Sequence, residues 1–311
     1  MNSAEAGANA AKFQNFRAPK IVSERGFKNL GEQLSHQAKW KKSVSQVYRE
    51  ATLPWEWTPE LKAECERCGI EYFSAPYDLE AVDMLDPYVS LFKIGSGDIT
   101  WPEMLQKVAS KQKPVLLATG ASDIGEVQRA ASAILKINPQ LVLMQCNTNY
   151  TASLENFRHI HLRVLQTYRS MFPFVVTGLS DHTPGHATVL GAVALGARVI
   201  EKHFTLDRTL PGPDHKASLL PAELKAMVAA IRNIEQALGD GVKRPSAREA
   251  LNKSAARKSL VAARDIRAGE TFSAANLAAK RPGTGVSPMR WDEVIGRKAR
   301  RDFAADELID L

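Results

Sequence analysis

Seven short apolar runs recur along this chain, and most of the intervals between them carry helix-like amphipathic segments. The runs lie at residues 10–13, 70–75, 91–94, 115–118, 141–146, 174–179 and 198–203. Residues 123–135 and 154–171 show the amphipathic pattern. A strand-then-helix order repeated in this way predicts a parallel sheet, either doubly wound or closed as a barrel. In both architectures the functional site lies at the carboxyl ends of the strands.

The composition predicts a globular protein. With 311 residues, 44% of them hydrophobic, the chain can bury one large core and a small second one. No apolar run approaches the roughly 20 residues of a membrane span, and no basic segment followed by an apolar one opens the sequence, so we expect a cytosolic protein without a membrane partner. Lysine and arginine exceed aspartate and glutamate by 41 to 34 without a dense cationic block. This balance supports nucleic-acid binding only weakly and suits a small anionic substrate as well.

Cys65 and Cys68 form a Cys-x-x-Cys pair, which a redox site or a zinc site could use. No second ligand pair follows, and the surrounding stretch has the pattern of a helix capped by Thr58 and ended by Gly69. We therefore interpret these cysteines as helix residues.

Polar and glycine-rich segments follow the predicted strands at the same relative place. They include "FKIGSGD", "LLATGAS", "MQCNTNYT", "GLSDHTPG" and "VIEKHFT". Turns and helix caps would explain any one of them. Because the carboxyl ends of parallel strands meet at one edge of a sheet, we expect these segments to form one shared site.

Two constellations sharpen this expectation. His182 and His203 end successive runs, so their imidazoles could converge on one divalent ion and leave positions open for water and a substrate oxygen. The alternative is that both histidines are structural. Lys12 and Lys93, beside the Ser96-Gly97 turn, could hold a phosphate or carboxylate dianion, although each lysine alone would more often be a solvated surface residue. The sequence does not decide whether Glu201 and Lys202, in "VIEKHFT", support the site or are exposed to solvent.

Six motifs in order give the sequence a closer resemblance. "KFQ", "FKIGSGD", "SDHT", "ALGARVIEKHFTLDR", "GPDHKASL" and "KRPGTGVSP" together resemble the N-acetylneuraminate (sialic acid) synthase family, which includes the legionaminic and pseudaminic acid synthases. The resemblance runs from about residue 8 to residue 311. It implies a TIM (β/α)8-type barrel followed by a small antifreeze-like (SAF) domain.

The resemblance also implies a reaction. Phosphoenolpyruvate would condense with the open-chain aldehyde of an N-acylated sugar of the N-acetylmannosamine type, giving a nonulosonic acid and phosphate. His182 and His203 look like ligands of a divalent metal, manganese first, with magnesium or cobalt as alternatives. The positions that resemble phosphoenolpyruvate-binding residues are Lys12, Lys93, Ser96 and Ser180. Tyr150 resembles a residue that lines the same pocket, and Asp214 one that holds the sugar near the metal.

The carboxyl-terminal part has the pattern of a separate unit. A glycine-, proline- and charge-rich stretch after Leu238 predicts a linker. We expect a barrel domain at residues 1–238, a linker at 239–256 and the SAF domain at 257–311. By resemblance, Arg281 reaches the sugar site of a partner subunit, which implies a domain-swapped homodimer. The alternative is that Arg281 only belongs to a basic turn.

The sequence departs from the family pattern at its start. Family members begin with a strand carrying a Glu-Ile-Gly-x-Asn-His-like segment and a helix, whereas this sequence opens just ahead of "KFQ". We therefore expect seven barrel strands rather than eight, without most of the first helix and without a glutamate that would contact substrate. This departure leaves two alternatives to the synthase: a non-catalytic or impaired sugar- or phosphate-binding homologue, and a metal-dependent barrel aldolase or hydrolase.

Overall fold

The computed structural model describes residues 2–29, 40, 42–150, 153–210, 212 and 214–311. The chain divides into two compact units, Met1–Gly239 and Asp240–Leu311. None of the helices in the described part of the chain is long and apolar enough to cross a membrane.

The first unit is built on a seven-stranded parallel sheet whose strand order follows the sequence. Each predicted apolar run forms a strand within two residues of its expected start and end. The strands are β1 Ala10–Asn15, β2 Glu71–Pro76, β3 Phe92–Ile94, β4 Val115–Ala118, β5 Leu141–Cys146, β6 Val176–Asp181 and β7 Val199–Lys202. The predicted parallel sheet is confirmed.

Helices occupy the connections between these strands and continue beyond them. In chain order they are α1 Asn2–Glu5, α2 Ala18–Ile21, α3 Glu24–Asn29, α4 Val44–Glu50, α5 Thr58–Arg67, α6 Leu79–Leu85, α7 Pro102–Ser110, α8 Ile124–Leu135, α9 Val164–Met171, α10 Ala187–Ala194 and α11 Pro221–Leu238. This βα order, with consecutive strands paired side by side, is that of a barrel-type fold.

The helix α8 shows how local chemistry sets an element. The Asp123 carboxylate accepts a hydrogen bond from the Glu126 backbone N–H at 2.8 Å, and the Glu126 carboxylate accepts one from the Asp123 N–H at 2.9 Å. This capping box satisfies two N–H groups that would otherwise lack partners at the helix start. Val127, Ala131 and Ile134 then lie buried along one face, which packs the helix against the sheet core.

The prediction of a single helix over residues 154–171 is wrong. A 3-10 helix covers Leu154–His159, and α9 begins only at Val164. Between them His161 has a φ of 48°, a left-handed conformation that an α-helix does not continue through.

The two cysteines of the Cys-x-x-Cys pair are free thiols. Cys65 is on α5 and packs into the hydrophobic core, and Cys68 follows the helix end. Gly69 has a φ of 70° and ends the helical segment as predicted, whereas the N-cap position belongs to Trp57 rather than Thr58.

The sheet curls, because its first and last strands come within side-chain reach of each other. Lys12 on β1 and Glu201 on β7 form an ion pair of 2.7 Å. Both edge strands are only half-buried along most of their length, in contrast to the buried β3 and β4 between them. The first unit is therefore a seven-stranded curled sheet open between β1 and β7, and its polar strand ends face one another.

The second unit has its own core. An antiparallel pair, β8 Ser259–Ala262 and β9 Leu277–Lys280, packs with the helix α13 Trp291–Val294 around Phe272 and Phe303. The helix α12 Ala247–Ala256 lies within the stretch predicted as a linker.

Candidate functional site

The site begins with the alternation of side chains along β6 and β7. Ser180 and Glu201 are register partners on these neighbouring strands, and the Ser180 hydroxyl donates to the Glu201 carboxylate at 3.3 Å. Because alternate residues of a strand share a face, the positions two residues further on are His182 and His203. Their ring centroids are 5.1 Å apart. The sequence prediction that these histidines lie side by side at the strand ends agrees with this geometry.

A charged cluster lies beside the serine. Lys12 donates to one oxygen of the Glu201 carboxylate at 2.7 Å, and the ammonium group of Lys93 lies 3.4 Å from the other oxygen. Burial lowers the pKa of Lys93, with Glu201 opposing. Burial would raise the pKa of Glu201, but the charges of Lys12 and Lys93 prevail and hold it well below its ordinary value. Two lysines therefore share one largely buried carboxylate, and the three groups together carry a net positive charge.

Ser96 lies at the third strand end and is held by the fourth. Its hydroxyl accepts a hydrogen bond of 2.9 Å from the backbone N–H of Gly120. The Cys146 thiol lies at the end of β5, where burial raises its pKa against the opposing charge of Lys93. The predicted anion-binding residues Lys12, Lys93 and Ser180 are thus joined through Glu201, and Ser96 is held by the backbone of Gly120.

The histidines form the second half of the site, with Tyr150 and Asp214. The Tyr150 ring lies 4.0 Å from that of His182 and 5.8 Å from that of His203, measured between centroids. The Asp214 carboxylate is 3.6 Å from Nδ1 of His203. Burial, together with the neighbouring His203 ring, lowers the pKa of His182 to about 4. Burial also lowers the pKa of His203, against the opposing charge of Asp214.

These imidazoles fit a divalent metal. Nδ1 of His182 lies 2.7 Å from the carbonyl oxygen of Asn147, which can only accept a hydrogen bond, so Nδ1 carries the proton and Nε2 keeps its lone pair. A neutral ring oriented by such a contact is the usual form of a histidine ligand. Within the described ranges, no group of three or more histidine, cysteine, aspartate or glutamate side chains is placed to hold a metal. His182 and His203 would supply two nitrogen ligands to such an ion, with its other positions open to water or substrate.

Sequence reasoning left two contributors undetermined. Glu201 was open between site and solvent, and it lies at the centre of the lysine cluster. The signal in the sequence was its place two residues before His203, on the same face of the strand. Cys146 ends the apolar run at residues 141–146, and no local pattern indicates that this buried thiol lies within the electrostatic influence of Lys93.

Arg281 lies in the second unit, directly after β9, and its side chain is exposed. Its predicted role at the site of a partner subunit stays a prediction.

A cleft of about 610 Å³ opens elsewhere on the first unit. Its lining includes Val176 and Thr177 at the amino end of β6, together with Arg169 and Arg198, both exposed. The lysine cluster and the two histidines lie toward the opposite, carboxyl ends of the strands. Because barrel enzymes place their chemistry at the carboxyl ends, we assign the candidate site there and not to this cleft.

Comparison with known proteins agrees with this architecture. Residues 1–243 match the NeuB family model, and residues 257–311 match the SAF domain model. The chain belongs to the NeuB family. The resemblance found in the six sequence motifs is confirmed, as is the fold class of a barrel-type domain followed by an SAF domain.

Three relatives illustrate the similarity. The N,N'-diacetyllegionaminic acid synthase of Campylobacter jejuni is 42% identical over 310 residues, which cover 98% of this chain and 91% of that protein. A pseudaminic acid synthase of the same species is 33% identical over 96% of this chain and 86% of its own length. The crystal structure of the N-acetylneuraminic acid synthetase of Leptospira borgpetersenii superposes with a TM-score of 0.69 at 30% identity, covering 81% of each chain. This NeuB-family chain is therefore similar to enzymes that make sialic-type acids.

Proposed function

We propose that this protein condenses phosphoenolpyruvate with the aldehyde of an N-acylated sugar of the N-acetylmannosamine type, giving a nonulosonic acid and phosphate. The observation that carries the proposal is that a largely buried two-lysine cluster and a pair of imidazoles meet at one strand, β7, on which Glu201 and His203 share a face. The relatives that make legionaminic, pseudaminic and N-acetylneuraminic acids support the same class of product.

The lysine cluster suits the phosphate and carboxylate of phosphoenolpyruvate. Lys93 is 4% exposed, so its charge acts in an environment that water screens little. Lys12 and Lys93 would neutralise the anion, while the hydroxyls of Ser96 and Ser180 add hydrogen-bond donors from two further strands. A substrate fixed at these four points presents its methylene carbon in one orientation, which lowers the entropic cost of the condensation.

The imidazole pair suits the sugar aldehyde. His182 and His203 would hold a divalent metal, manganese by expectation, which when bound supplies Lewis-acid polarisation of a carbonyl oxygen. Asp214 and Tyr150 lie against these rings and would position the open-chain sugar. In the proposed reaction the methylene carbon of phosphoenolpyruvate forms a bond to the aldehyde carbon. Water then adds to the resulting cationic carbon before phosphate leaves.

The assembly is a further part of the proposal. A domain-swapped homodimer, in which Arg281 serves the sugar site of a second copy, and a cytosolic location both stay predictions. Phosphoenolpyruvate and the N-acylated sugar are the proposed small-molecule partners.

The direct test is phosphate release by the purified protein. We expect release only when phosphoenolpyruvate, manganese and an accepted N-acylated sugar are all present, with a nine-carbon acid detected by mass spectrometry. Omission of the sugar is the control. Binding of phosphoenolpyruvate without turnover would instead identify a non-catalytic homologue. Cleavage or hydrolysis that needs no phosphoenolpyruvate would identify a metal-dependent aldolase or hydrolase.

Gly120 provides a sharper test of the anion-binding half. A Cβ added there would lie 2.6 Å from Cγ2 of Thr148 and 2.9 Å from the Ser96 hydroxyl oxygen, closer than side chains tolerate. We expect Gly120→Ala to displace Ser96 and to lower kcat/KM for phosphoenolpyruvate roughly 10- to 100-fold, a loss of about 1.4 to 2.7 kcal/mol in transition-state stabilisation.

The matched control is Gly125→Ala, on α8, because a Cβ at Gly125 lies no closer than 3.2 Å to a neighbouring atom, which belongs to the Asp123 side chain. This variant should retain the wild-type kcat/KM. Adding Thr148→Ser to Gly120→Ala removes the nearest clashing methyl group and should restore part of the loss. Equal kcat/KM values for the two glycine variants would show that the position of Ser96 does not affect the use of phosphoenolpyruvate.

A further inference from the structure

The face of β6 and β7 that points away from the candidate site carries a second ion pair. Asp181 and Lys202 are register partners, one residue along from Ser180 and Glu201, and therefore lie on the opposite face of the sheet. Their charged atoms are 2.9 Å apart, and the two side chains are 0% and 2% exposed. The sequence left Lys202 open between site and solvent, and the structure places it in the interior.

Every charged atom of this pair has additional partners. One carboxylate oxygen of Asp181 accepts from the Thr183 hydroxyl at 2.9 Å, from the Thr188 hydroxyl at 2.7 Å and from Lys202, and the other accepts from the Thr183 backbone N–H at 3.0 Å. The Lys202 ammonium also donates to the carbonyl oxygen of Thr183 at 2.5 Å. A buried ion pair with this many partners is held in a single geometry.

Each residue of the pair directly precedes one of the two histidines in the sequence. His182 lies between Asp181 and Thr183, which are tied to each other and to Lys202, and His203 directly follows Lys202. The backbone that carries each ring is thus fixed by the same buried network, and Thr188 connects this network to α10. On the other face, within the part of the chain that the structure describes, the His182 ring is oriented by the Asn147 carbonyl oxygen and the His203 ring lies beside the Asp214 carboxylate.

We infer that Asp181, Lys202 and Thr188 are positioning residues that hold the backbones of His182 and His203 at the spacing required for one divalent cation. The inference rests on the metal site of the proposed function. Groups that orient metal ligands without touching the metal typically change metal affinity 10- to 100-fold when they are replaced. The measurable consequence is a change in cation affinity that does not depend on turnover.

The test compares two variants that should fold. Thr188→Val keeps the shape of the side chain and the ion pair but removes one hydrogen bond to Asp181. The double variant Asp181→Asn with Lys202→Met removes both charges together, so neither remains buried alone. Thr58→Val is the matched control, because Thr58 is also a fully buried threonine but lies on α5, away from β6 and β7.

Manganese binding is measured by electron paramagnetic resonance of the free ion, without either substrate. We expect the dissociation constant to rise about 10-fold or more in the double variant and about 3-fold in Thr188→Val, with no change in Thr58→Val. The cobalt-substituted protein should also show an altered visible spectrum in the two site variants and not in the control. Urea unfolding of each variant shows whether it is folded under these conditions. If the double variant is unfolded, the manganese affinity of Thr188→Val alone tests the positioning role.

The outcomes separate the inference from the proposed function. If the wild-type protein binds manganese, His182→Ala abolishes the binding, and both site variants bind like the wild type, the positioning role is wrong and the metal site stands. If the wild-type protein binds no manganese, cobalt or magnesium, the metal site itself is wrong and the inference falls with it. Weaker manganese binding by site variants that remain folded would support both the positioning role and the metal site.

Discussion

Alanine at His182 or at His203 is expected to lower sugar-dependent phosphate release at least ~1000-fold while the protein stays folded. Each ring supplies one of the two protein nitrogens that would hold the divalent metal, and metal polarisation of a carbonyl contributes several kcal/mol to transition-state stabilisation. A loss of about 4 kcal/mol corresponds to three orders of magnitude in rate. The two rings lie 5.1 Å apart, so the loss of either one leaves a single ligand.

The measurement is the initial rate of phosphate release, with manganese binding measured in parallel. His159→Ala is the matched control, because His159 is an exposed histidine in the 3-10 helix Leu154–His159, and it should retain the wild-type rate. The double alanine variant should be no slower than either single variant, since the two rings act as one unit. Substantial release by His182→Ala or His203→Ala would exclude a metal held by this pair.

Replacement of Glu201 with glutamine is expected to lower the free energy of unfolding by about 3 kcal/mol. The substitution keeps the shape of the side chain but leaves Lys12 and Lys93 without their shared counter-charge in a mostly buried position, and removal of one partner of a buried ion pair costs about 3 to 5 kcal/mol. Since the pKa of Lys93 is already lowered by burial, loss of Glu201 should lower it further. The destabilisation should therefore shrink as the pH rises and be lost above the ordinary lysine pKa of 10.5, where the amine is uncharged in both the folded and the unfolded state.

Urea unfolding near neutral pH measures this effect. Glu80→Gln is the matched control, because Glu80 also bridges two cations, Lys20 and Arg17, but its side chain is 57% exposed. Exposed ion pairs contribute little to stability, so the control should unfold close to the wild type. If Glu201→Gln lowers the free energy of unfolding no more than Glu80→Gln does, the lysine cluster is effectively solvated.

Most strands and the best-marked helices could be predicted from the sequence, because their signals are local. Buried parallel strands are short apolar runs, and the runs at 115–118 and 141–146 match β4 and β5 at both ends. The start of α8 is set by Asp123 and Glu126, three residues apart. The break at His161 has no such signal. Its left-handed conformation is taken by a residue that is neither glycine nor asparagine, inside a segment whose amphipathic pattern continues on both sides.

At the strand ends, too, some features can be predicted from local sequence and others depend on the tertiary structure. Alternation along β7 already separates Glu201 and His203 from Lys202, since a period of two assigns them to opposite faces. Which groups meet them there is not a local property. Glu201 pairs with Lys12, 189 positions earlier, and Lys202 pairs with Asp181, 21 positions earlier.

The sequence by itself determined the order of strands and helices, the placement of polar residues at the strand ends, and the family. Only the tertiary structure decided that Lys12 and Lys93 share one carboxylate, that Ser180 donates to the same carboxylate, and that Lys202 is buried against Asp181. The physical reason is that local periodicity fixes the face on which a side chain lies. The curl of the sheet then fixes which distant side chains share that face, and with them the charges and the pKa values of the site.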